Sequence, residues 1–396
     1  MFLDLIRRRN PKLIEQAIAL HQAGRLPANS YVIDVDAVEE NARVIASAAG
    51  KLGLKVFAMT KQMGRNPSFC QAAARGGIVS AVAVDMEDAR ATCRAGLALG
   101  HIGHLVQIPK FEADAAAALS PDYWTVFNSE KAAEAAAASH RRGRVQPLLA
   151  RIQAEGDRFY RGHEGGFPAA DILRVADAFD ALPGGRFAGI TSFPALLFDP
   201  ATRSVKTTPN LETLRRAREA LAKAGRKDIE VNAPGTTSAK VLAFLAEAGA
   251  TQVEPGHGLT GTTPLHVVED LPERPAVVYL TEVSHFAGGE AYCFGGGLYI
   301  DPVFPDYDVK AIVSSEPTAS AAALKSVEIP SPAAIDYYGM IKGGASAARV
   351  GDSVVFGFRP QAFVTRAYVV GLSGLARGAP HVEGVHDAFG RAVAWP

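Results

Sequence analysis

The sequence has little cysteine, no excess of charge of either sign and no long apolar segment. Its three cysteines, Cys70, Cys93 and Cys293, form no CxxC pair and cannot all be bridged, which argues against a secreted disulfide framework and favours a reducing compartment, so we expect the cytoplasm. Lys plus Arg equals Asp plus Glu at 41 each. No overall field therefore favours nucleic acid or an anionic membrane, and a small molecule is the more natural partner. Nowhere do about 18 apolar residues run uninterrupted, and the N-terminus has no signal-type segment, so we expect no membrane span.

What the chain has in quantity is short apolar runs that alternate with helical stretches. Apolar residues at helical spacing follow Pro11 and stop at Gly24, which predicts an N-terminal helical arm over residues 1–26. From residue 31, β-rich runs alternate with Ala-, Glu- and Arg-rich stretches that close at glycine, the pattern of βα units around a parallel sheet. After a leading strand ("YVIDVD") and helix, eight candidate strands can be counted: residues 54–59, 78–84, 102–108, 123–128, 146–153, 187–193, 229–233 and 250–254.

Eight parallel strands with outer helices predict an α/β fold, a TIM (β/α)8 barrel, over residues 27–268. An open doubly wound sheet would show a similar alternation and is the alternative. Beyond the barrel, strand-like runs arrive at short intervals with Gly and Pro between them. They predict a mostly β C-terminal domain over residues 269–396.

Lys61 follows the first predicted strand directly, in "FAMTKQMGRNP". Active sites of TIM barrels lie at the carboxyl ends of the strands, so this lysine would lie at the mouth of the barrel. Lower hydration and neighbouring charge there would depress the pKa of the amine from about 10.4 and make it nucleophilic toward a carbonyl, with a Schiff base as the obvious use. The alternative is an exposed lysine at the end of a strand.

Two glycine-rich loops follow the seventh and eighth predicted strands. "VNAPGTTSAK" places Gly235, Thr236, Thr237 and Ser238 where a strand leads into a helix, so backbone N–H groups and hydroxyls converge in a way that suits phosphate. "EPGHGLTG" does the same after the eighth strand, and these two loops frequently form the phosphate site of such barrels. Either loop alone could be an ordinary helix cap. With a lysine after the first strand, they indicate one ligand that has both a phosphate and an aldehyde, as pyridoxal 5′-phosphate (PLP) has.

These features resemble the fold-type III PLP enzymes: alanine racemase, ornithine decarboxylase, D-serine dehydratase and D-threonine aldolase. In that family a barrel whose first strand ends in the reactive lysine is followed by a β domain, and the resemblance extends over nearly the whole chain. More narrowly, "FAMTKQMGRNP", "EPGHGLTGTTPLH" and "GFRPQAFVTRA" are similar to the YhfX-like group of proposed PLP-dependent amino-acid racemases.

The resemblance implies roles for individual residues. Lys61 would form the Schiff base with PLP and serve as a catalytic base, and the two glycine-rich loops would hold the phosphate. The residues that the resemblance assigns to cofactor binding are Lys61, Arg161, Ser192, Asn232, Gly235, Thr236, Thr237, Glu254, Gly256, His257 and Tyr338.

Glu254 departs from the alanine racemases, which have "RPG" where this sequence has "EPG", as ornithine decarboxylases do. A carboxylate would keep the pyridine nitrogen protonated and make the ring a stronger electron sink. That assists loss of the Cα proton but equally assists decarboxylation, elimination or retro-aldol cleavage. Glu254 thus supports PLP chemistry while weakening the inference to racemisation. A salt bridge at the end of a strand is the alternative role.

Arg161 and Ser192 each allow two interpretations. Arg161, in "GDRFYRG", resembles the racemase stretch that ends in "R-x-G" and would orient the cofactor or bind a substrate carboxylate. Surface pairing with an acid such as Asp157 or Glu164 is equally open. Ser192 stands where racemases often place a histidine near the ring, and its hydroxyl would touch the cofactor O3′ or nothing at all.

The β domain lacks the metal pair that two of these enzymes carry. D-serine dehydratase and D-threonine aldolase have "P-H-x-C" after a "GD" strand, whereas "GDSVVFGFRPQAFV" has Gln361 and Phe363 at the ligand positions. Neither side chain replaces imidazole or thiolate well. We therefore expect no zinc site of that kind, which counts against a metal-dependent dehydratase or aldolase.

Racemisation needs a proton acceptor on each face of the planar carbanion, and Lys61 can serve only one. For the other face the candidates are Tyr338, Cys293 and His285, all in the β domain, which in this family closes the barrel mouth of a partner subunit. Tyr and Cys in such a domain are more often core residues, and Tyr338 would alternatively hold the phosphate. The sequence thus predicts a cytoplasmic, homodimeric PLP enzyme acting at Cα of an amino acid, a racemase or epimerase (isomerase). A PLP lyase or decarboxylase and a non-catalytic PLP carrier are the alternatives, and the substrate amino acid is not identified.

Overall fold

The computed structural model describes the whole chain except Ile300, Pro305, Pro332 and Ala333. Its internal contacts divide the chain into two compact units. The barrel unit consists of residues 43–60 and 77–256. The sheet unit consists of residues 1–42, 61–76 and 257–396. Within the described residues, no helix combines the length and apolar composition that crossing a membrane requires.

The barrel unit is built on parallel strands that we number in chain order as barrel strands 1 to 8. Strand 1 consists of Lys55–Val56 and Ala58–Met59, which are separated only by Phe57. Strands 2 to 8 are Ser80–Ala83, Ala98–Ile102, Tyr123–Val126, Gln146–Gln153, Gly185–Thr191, Glu230–Asn232 and Gln252–Val253. Strand 1 pairs with strand 8 through its first half and with strand 2 through its second half, so the ring of strands closes. The predicted TIM barrel is confirmed, and the open sheet is excluded.

Helices separate most of the barrel strands. Local sequence explains where some begin, since the side chains of Asp85 and Asn128 accept hydrogen bonds from backbone N–H groups in the first turn that follows. The helices within this unit are Met86–Arg94, Ala113–Ala118, Ser129–His140, Ile172–Asp180, Pro209–Lys223 and Leu242–Glu247. A hairpin, Leu196–Asp199 with Ser204–Thr207, is inserted after strand 6, and Phe167–Pro168 pairs with strand 5.

The prediction for barrel strand 3 was wrong in position, because it covered residues 102–108 and the strand spans Ala98–Ile102. The physical reason lies at Gly103, which has φ +78° and ends the strand. A Cβ at this position would lie 2.6 Å from the carbonyl oxygen of Thr125, so only glycine allows the close approach to strand 4. The correction places "GHIGH" at the carboxyl end of strand 3.

The sheet unit contains a mostly antiparallel sheet, as predicted for the C-terminal domain. Its strands, in spatial order, are Glu290–Phe294, Tyr338–Ile341, Leu324–Glu328, Lys310–Ser314, Ser353–Phe356, Val277–Ala287, Ser30–Asp34, Tyr368–Ser373 and His381–His386. Val277–Ala287 also pairs with Glu290–Phe294. The leading strand predicted before the barrel, Ser30–Asp34, lies in this sheet, antiparallel to Val277–Ala287 and parallel to Tyr368–Ser373.

The N-terminal arm forms two helices, Phe2–Arg9 and Pro11–Gln22, that pack on this sheet. Leu13, Ile14 and Ile18 are fully buried in one apolar cluster with sheet residues such as Val278 and Val355. The remaining helices are Pro67–Arg75 in this unit and Val35–Lys51, which runs from the sheet unit into the barrel unit. The two compact units divide the chain at other residues than the predicted domains do. The predicted domain boundaries after residues 26 and 268 therefore stay a prediction.

Candidate active site

Glu254 follows barrel strand 8 and is buried at the carboxyl end of the barrel strands. Its Oε1 accepts hydrogen bonds from Nδ1 of His101 at 2.7 Å and from Nδ2 of Asn232 at 2.9 Å. A carboxylate can only accept, so Nδ1 of His101 carries a proton in this pair. Burial on its own raises the pKa of Glu254, but the charge of His104 and the bonds from His101 and Asn232 outweigh it and lower the pKa to about 2. Glu254 is therefore an anion at neutral pH.

The two groups that bond to Glu254 are themselves held by neighbouring strands. Nε2 of His101 lies 2.6 Å from the hydroxyl oxygen of Thr125, on strand 4. Oδ1 of Asn232 accepts a hydrogen bond from the hydroxyl of Thr191, on strand 6, at 2.8 Å. Asn232, assigned to the cofactor from the sequence, thus orients the Glu254 carboxylate. Such a network fixes the direction in which the carboxylate points.

His101, His104 and Glu254 bring three atoms that could ligate a metal ion within 4.8 Å of one another. Both ring nitrogens of His101 are already engaged, one with Glu254 and one with Thr125, so the arrangement is that of a hydrogen-bonded network. Oε2 of Glu254 differs from Oε1. It lies 3.3 Å from Nε2 of His104 but has no hydrogen-bond partner among the described residues. A buried carboxylate oxygen without a hydrogen bond can accept one from a bound group.

Sequence reasoning missed His101 and His104. The available signal was the pair of histidines three residues apart in "GHIGH", since residues at the carboxyl end of a barrel strand are candidates for the site. The predicted strand 3 placed both histidines at the start of a strand or within it, so neither was considered.

The loop after strand 7 has the features expected of a phosphate site. A Cβ at Gly235 would lie 2.7 Å from the backbone N and O of Leu196, so only glycine fits there. The N–H of Thr236 donates to the same carbonyl at 3.3 Å, and the hydroxyl of Thr237 donates to the Gly235 carbonyl at 2.8 Å. The hydroxyl of Ser238 is buried without a hydrogen-bond partner in the part of the chain that is described. Ser238 precedes the helical turn Ala239–Val241 and belongs to the loop that the sequence analysis predicted to suit phosphate.

Lys61 and His257 belong to the sheet unit, and each contacts the segment around Pro360. Lys61 begins the helical turn Lys61–Met63, and its Nζ lies 4.9 Å from the centre of the Phe363 ring, a cation–π contact. Nε2 of His257 donates to the Pro360 carbonyl at 2.8 Å. Burial, and then the nearby charges of Arg359 and Lys61, hold the pKa of His257 well below its ordinary value. Gly256, which precedes it, is buried.

Arg161 and Ser192 differ in exposure, and their proposed contacts with the cofactor stay predictions. Arg161 is exposed in a turn after strand 5. Ser192 is fully buried, and its hydroxyl oxygen accepts a hydrogen bond from Nδ2 of Asn210 at 3.2 Å. The buried arginine of this region is Arg151, which the sequence analysis did not single out.

The three candidates for a second base lie in the sheet unit and differ in accessibility. Cys293 is 0% exposed, and burial raises the pKa of its thiol to about 12. Tyr338 is 38% exposed, with its ring edge-to-face against His285 at 5.0 Å and near Phe294 at 5.9 Å. A thiol that is buried and hard to ionise is a poor proton acceptor, so the geometry favours Tyr338 over Cys293.

The chain matches the model of the alanine racemase N-terminal domain over residues 33–264 and that of the YhfX-like C-terminal domain over residues 278–382. It is 39% identical to the uncharacterized protein YhfX of Escherichia coli strain K12, over 99% of this chain and 100% of that protein. D-threonine aldolase from Filomicrobium marinum has a TM-score of 0.68 at 18% identity, covering 93% of this chain and 96% of that one. Alanine racemase from Clostridium difficile 630 has a TM-score of 0.62 at 13% identity, covering 92% and 99%.

The fold is therefore that of the alanine racemase-like proteins, with a TIM-type barrel and a C-terminal domain of antiparallel strands. Within that class, the chain belongs to the YhfX-like family. The family inferred from the sequence is confirmed. Because fold does not fix function, the activity must be argued from the site.

Proposed function

We propose that the protein is a PLP-dependent enzyme that moves the α-proton of an amino acid, as a racemase or epimerase. The observation that carries the cofactor in this proposal is the buried, ionised Glu254, whose Oε2 lacks a hydrogen-bond partner among the described residues. The choice of proton transfer over bond cleavage rests on the match to the alanine racemase N-terminal domain. When bound, PLP supplies an aldehyde that condenses with amines and a protonated pyridine ring that withdraws electrons from Cα. A protonated ring nitrogen is a donor of the kind that Oε2 lacks.

The residues of the phosphate loop also fit the cofactor. Gly235 leaves no room for a side chain, and Ser238 has a buried hydroxyl without a partner in the described chain. A phosphate accepts hydrogen bonds from hydroxyls and from backbone N–H groups at the start of a helix. We assign this end of the cofactor to Gly235–Ser238, with Gly256 and His257 from the loop after strand 8. The support for the last two is their place in the family motif.

Lys61 would hold the cofactor aldehyde through its amine and exchange a proton at Cα. Its support is chain order and family, since it follows Met59, the last residue of strand 1, by two positions and matches the reactive lysine of the family. Glu254 would keep the proton on the ring nitrogen, because its low pKa leaves it ionised across the working range. His101 and Asn232 would keep that carboxylate oriented through their bonds to Oε1.

Tyr338 is the residue we propose for the opposite face of Cα. A phenol can donate a proton as well as accept one, and Tyr338 is partly exposed whereas Cys293 is not. The proposal includes a homodimer in which the sheet unit of one protomer completes the site of the other, as is typical of the family. Cytoplasmic location stays a prediction from the cysteine content.

A lyase is the second candidate, and Glu254 is the observation that favours it. A carboxylate that keeps the ring nitrogen protonated promotes electron withdrawal from whichever bond at Cα breaks, so it does not select proton transfer. A D-threonine aldolase is among the structural neighbours. The remaining alternative, a carrier that binds PLP without turnover, shares the same cofactor contacts.

One experiment separates the three. The purified protein with PLP is incubated in D2O with each common amino acid in both enantiomers, and the products are followed by NMR and chiral chromatography. A racemase exchanges the α-proton and interconverts the enantiomers with the carbon skeleton intact. A lyase or decarboxylase releases a fragment or carbon dioxide, and a carrier does neither. Lys61→Arg is the control, because arginine keeps the charge but cannot condense with an aldehyde.

A further inference from the structure

The loop after barrel strand 6 contains an insertion that a (β/α)8 barrel does not require. Strand 6 ends at Thr191 and the next helix begins at Pro209. The hairpin Leu196–Asp199 with Ser204–Thr207 lies between them. Loops at the carboxyl ends of barrel strands form the binding sites of such barrels, and binding residues are concentrated on loops that a rigid scaffold holds. The hairpin is therefore a candidate for a binding role beyond the cofactor contacts.

The hairpin has one apolar face and one charged face. Side chains alternate along a strand, so Leu196 and Phe198 share one face and are buried, whereas Leu197 and Asp199 share the other and are partly exposed. Lys206 lies opposite Leu197 in the register. Its Nζ lies 2.7 Å from Oδ2 of Asp199. The buried face holds the hairpin in place, and the charged face is free to contact a ligand.

A cavity of about 200 Å³ lies at the hairpin, and Arg158 from the loop after strand 5 is part of its lining. Its charged lining residues are Arg158, Lys206 and Asp199, and Leu197 and Pro209 are among its apolar ones. Two cations face one carboxylate, so the cavity has a net positive charge. Sites for drug-sized ligands measure roughly 300–1,000 Å³, so this cavity suits a small group.

The backbone of Arg158 is held beside the cavity. Its N–H donates to Oδ1 of Asn210 at 2.9 Å, and Asn210 is fully buried. The preceding residue, Asp157, accepts hydrogen bonds from the Thr213 hydroxyl at 2.7 Å and from the N–H of Ala154 at 2.8 Å, one on each carboxylate oxygen. The guanidinium of Arg158 forms no ion pair or hydrogen bond with a described residue. Its charge is therefore available to a ligand.

The hairpin also contacts the loop after strand 7. The carbonyl of Leu196 accepts a hydrogen bond from the N–H of Thr236 at 3.3 Å. Gly235 approaches the same residue so closely that a Cβ would lie 2.7 Å from its backbone N and O. Leu197, the next residue of the hairpin, lines the cavity. The cavity is thus one residue away from the contact with the loop that we assign to the cofactor phosphate.

We propose that the hairpin cavity binds the carboxylate or phosphate group of a small anionic ligand. Two sources share this chemistry: an acidic group on the side chain of the amino-acid substrate, and a separate free anion. The first source rests on the proposed function and makes the substrate an amino acid with a second acidic group. Guanidinium and ammonium groups bind anionic oxygens in charge-assisted hydrogen bonds. A neutral or cationic ligand would leave the charge of Arg158 unmatched.

The test measures the thermal unfolding midpoint of the PLP-loaded protein in rising sodium phosphate, aspartate and glutamate, against sodium chloride of equal ionic strength. A ligand of the folded state raises that midpoint, and the concentration dependence gives its affinity. Loading with PLP keeps inorganic phosphate out of the cofactor site. Both enantiomers of each amino acid are used. Asparagine and glutamine are the matched controls, because their side chains have nearly the same shape without the charge.

Four variants locate the binding. Arg158→Met and Lys206→Met each remove one cation and should weaken binding of the anion about tenfold. Asp199→Asn removes a repulsive charge and should strengthen binding about threefold. Arg186→Met is the control, since Arg186 is an exposed arginine at the amino-terminal end of strand 6, and it should leave the affinity unchanged.

A higher affinity for aspartate or glutamate than for its amide identifies the acidic group of the substrate as the source. Binding of phosphate without that difference identifies a free anion. The assignment is overturned if no probe binds the wild type, if Arg158→Met keeps the wild-type affinity, or if Arg186→Met loses as much. If Lys206→Met does not fold, Arg158→Met decides. Failure to bind PLP refutes the proposed function alone, and the same titrations without cofactor still decide the cavity.

Discussion

At the amino-terminal end of the barrel strands, the side chains of Lys55, Tyr123 and Glu230 hydrogen-bond to one another. At the carboxyl end, several buried polar atoms have no hydrogen-bond partner among the described residues. The Lys55 amine bonds to Glu230 and lies 2.7 Å from the Tyr123 hydroxyl, which donates to Glu230 at 2.8 Å. Thr251 supplies the second oxygen of Glu230 with a hydrogen bond of 2.6 Å. A side-chain network with these bonds made contributes to stability and needs nothing from outside.

The carboxyl end of the barrel strands also has buried polar side chains, but their hydrogen bonds are incomplete. Oε2 of Glu254, the hydroxyl of Ser238 and two nitrogens of Arg151 are buried without hydrogen bonds in the described chain. Native proteins leave few such atoms unless a bound group supplies the missing partner. This difference is the one expected if the amino-terminal end contributes stability and the carboxyl end binds a ligand, as we propose.

The largest contrast is expected between the two lysines that flank barrel strand 1. Borohydride reduction of the PLP-loaded protein, followed by peptide mapping, should place a pyridoxyl label on Lys61 in the wild type and in Lys55→Arg. Lys61→Arg should carry no label, because arginine does not condense with the aldehyde. A label on Lys55 or on any other residue of the wild type would remove Lys61 from the proposed function.

Two glutamates, one at each end of the barrel, give the next test. Glu254→Gln keeps an oxygen for the Oε1 bonds but loses the charge that stabilises a protonated ring, so α-proton exchange into D2O should fall about a hundredfold. Glu230→Gln should leave exchange unchanged and cost roughly 1–3 kcal/mol of unfolding free energy in urea, since the ion pair and its hydrogen bonds are weakened. Equal exchange rates in the two variants would mean that the two ends do not differ in function.

Much of this organisation could be predicted from the sequence. The alternation of apolar runs and helical stretches predicted the barrel, because strands and helices each have a local sequence pattern and their alternation indicates βα units. Lys61 and the glycine-rich loops could be singled out because they follow predicted barrel strands, where active sites of such barrels lie, and because together they suit one ligand. Glu254 was singled out through the resemblance, because "EPG" stands where alanine racemases have "RPG".

His101, His104 and Arg151 could not be found in that way. The two histidines can be recognised as candidates only if the end of strand 3 is known. That end is set by the close approach of Gly103 to Thr125 on the next strand, a contact between residues distant in sequence. Arg151 stands inside "PLLARIQ", where the sequence alone does not show that the side chain is buried rather than exposed. A buried charge is a departure from the composition expected of a core, so only the structure reveals it.

The pH dependence of stability should also differ between the two glutamates. The pKa of Glu254 is lowered from 4.5 to about 2 in the folded protein, so its ionisation stabilises the fold above pH 4.5, and this stability is lost as pH falls toward 2. The ionisation of Glu254 contributes roughly 3 kcal/mol at most to the free energy of unfolding. Urea unfolding between pH 6 and 3 should show the wild type and Glu254→Gln converging as pH falls. The pKa of Glu230 is lowered too, because the hydrogen bonds that it accepts outweigh the effect of burial. Its carboxylate is more exposed than that of Glu254, so its contribution should be smaller. A constant difference between wild type and Glu254→Gln would contradict the low pKa.

The smallest expected effect separates two hydroxyls, Ser238 at the carboxyl end and Thr251 at the amino-terminal end. Ser238→Ala removes a hydroxyl that bonds to nothing in the described chain, so unfolding free energy should be unchanged while PLP affinity falls about tenfold, equivalent to about 1.4 kcal/mol. Pyridoxal, which lacks the phosphate, should bind both proteins equally. Thr251→Val loses the bonds to Glu230 and to the N–H of Val231 and should cost about 1 kcal/mol of stability without changing PLP affinity. If Ser238→Ala weakened pyridoxal and PLP alike, the loop after strand 7 would not be the phosphate site, and the contrast between the two ends would rest on Glu254 and Arg151 alone.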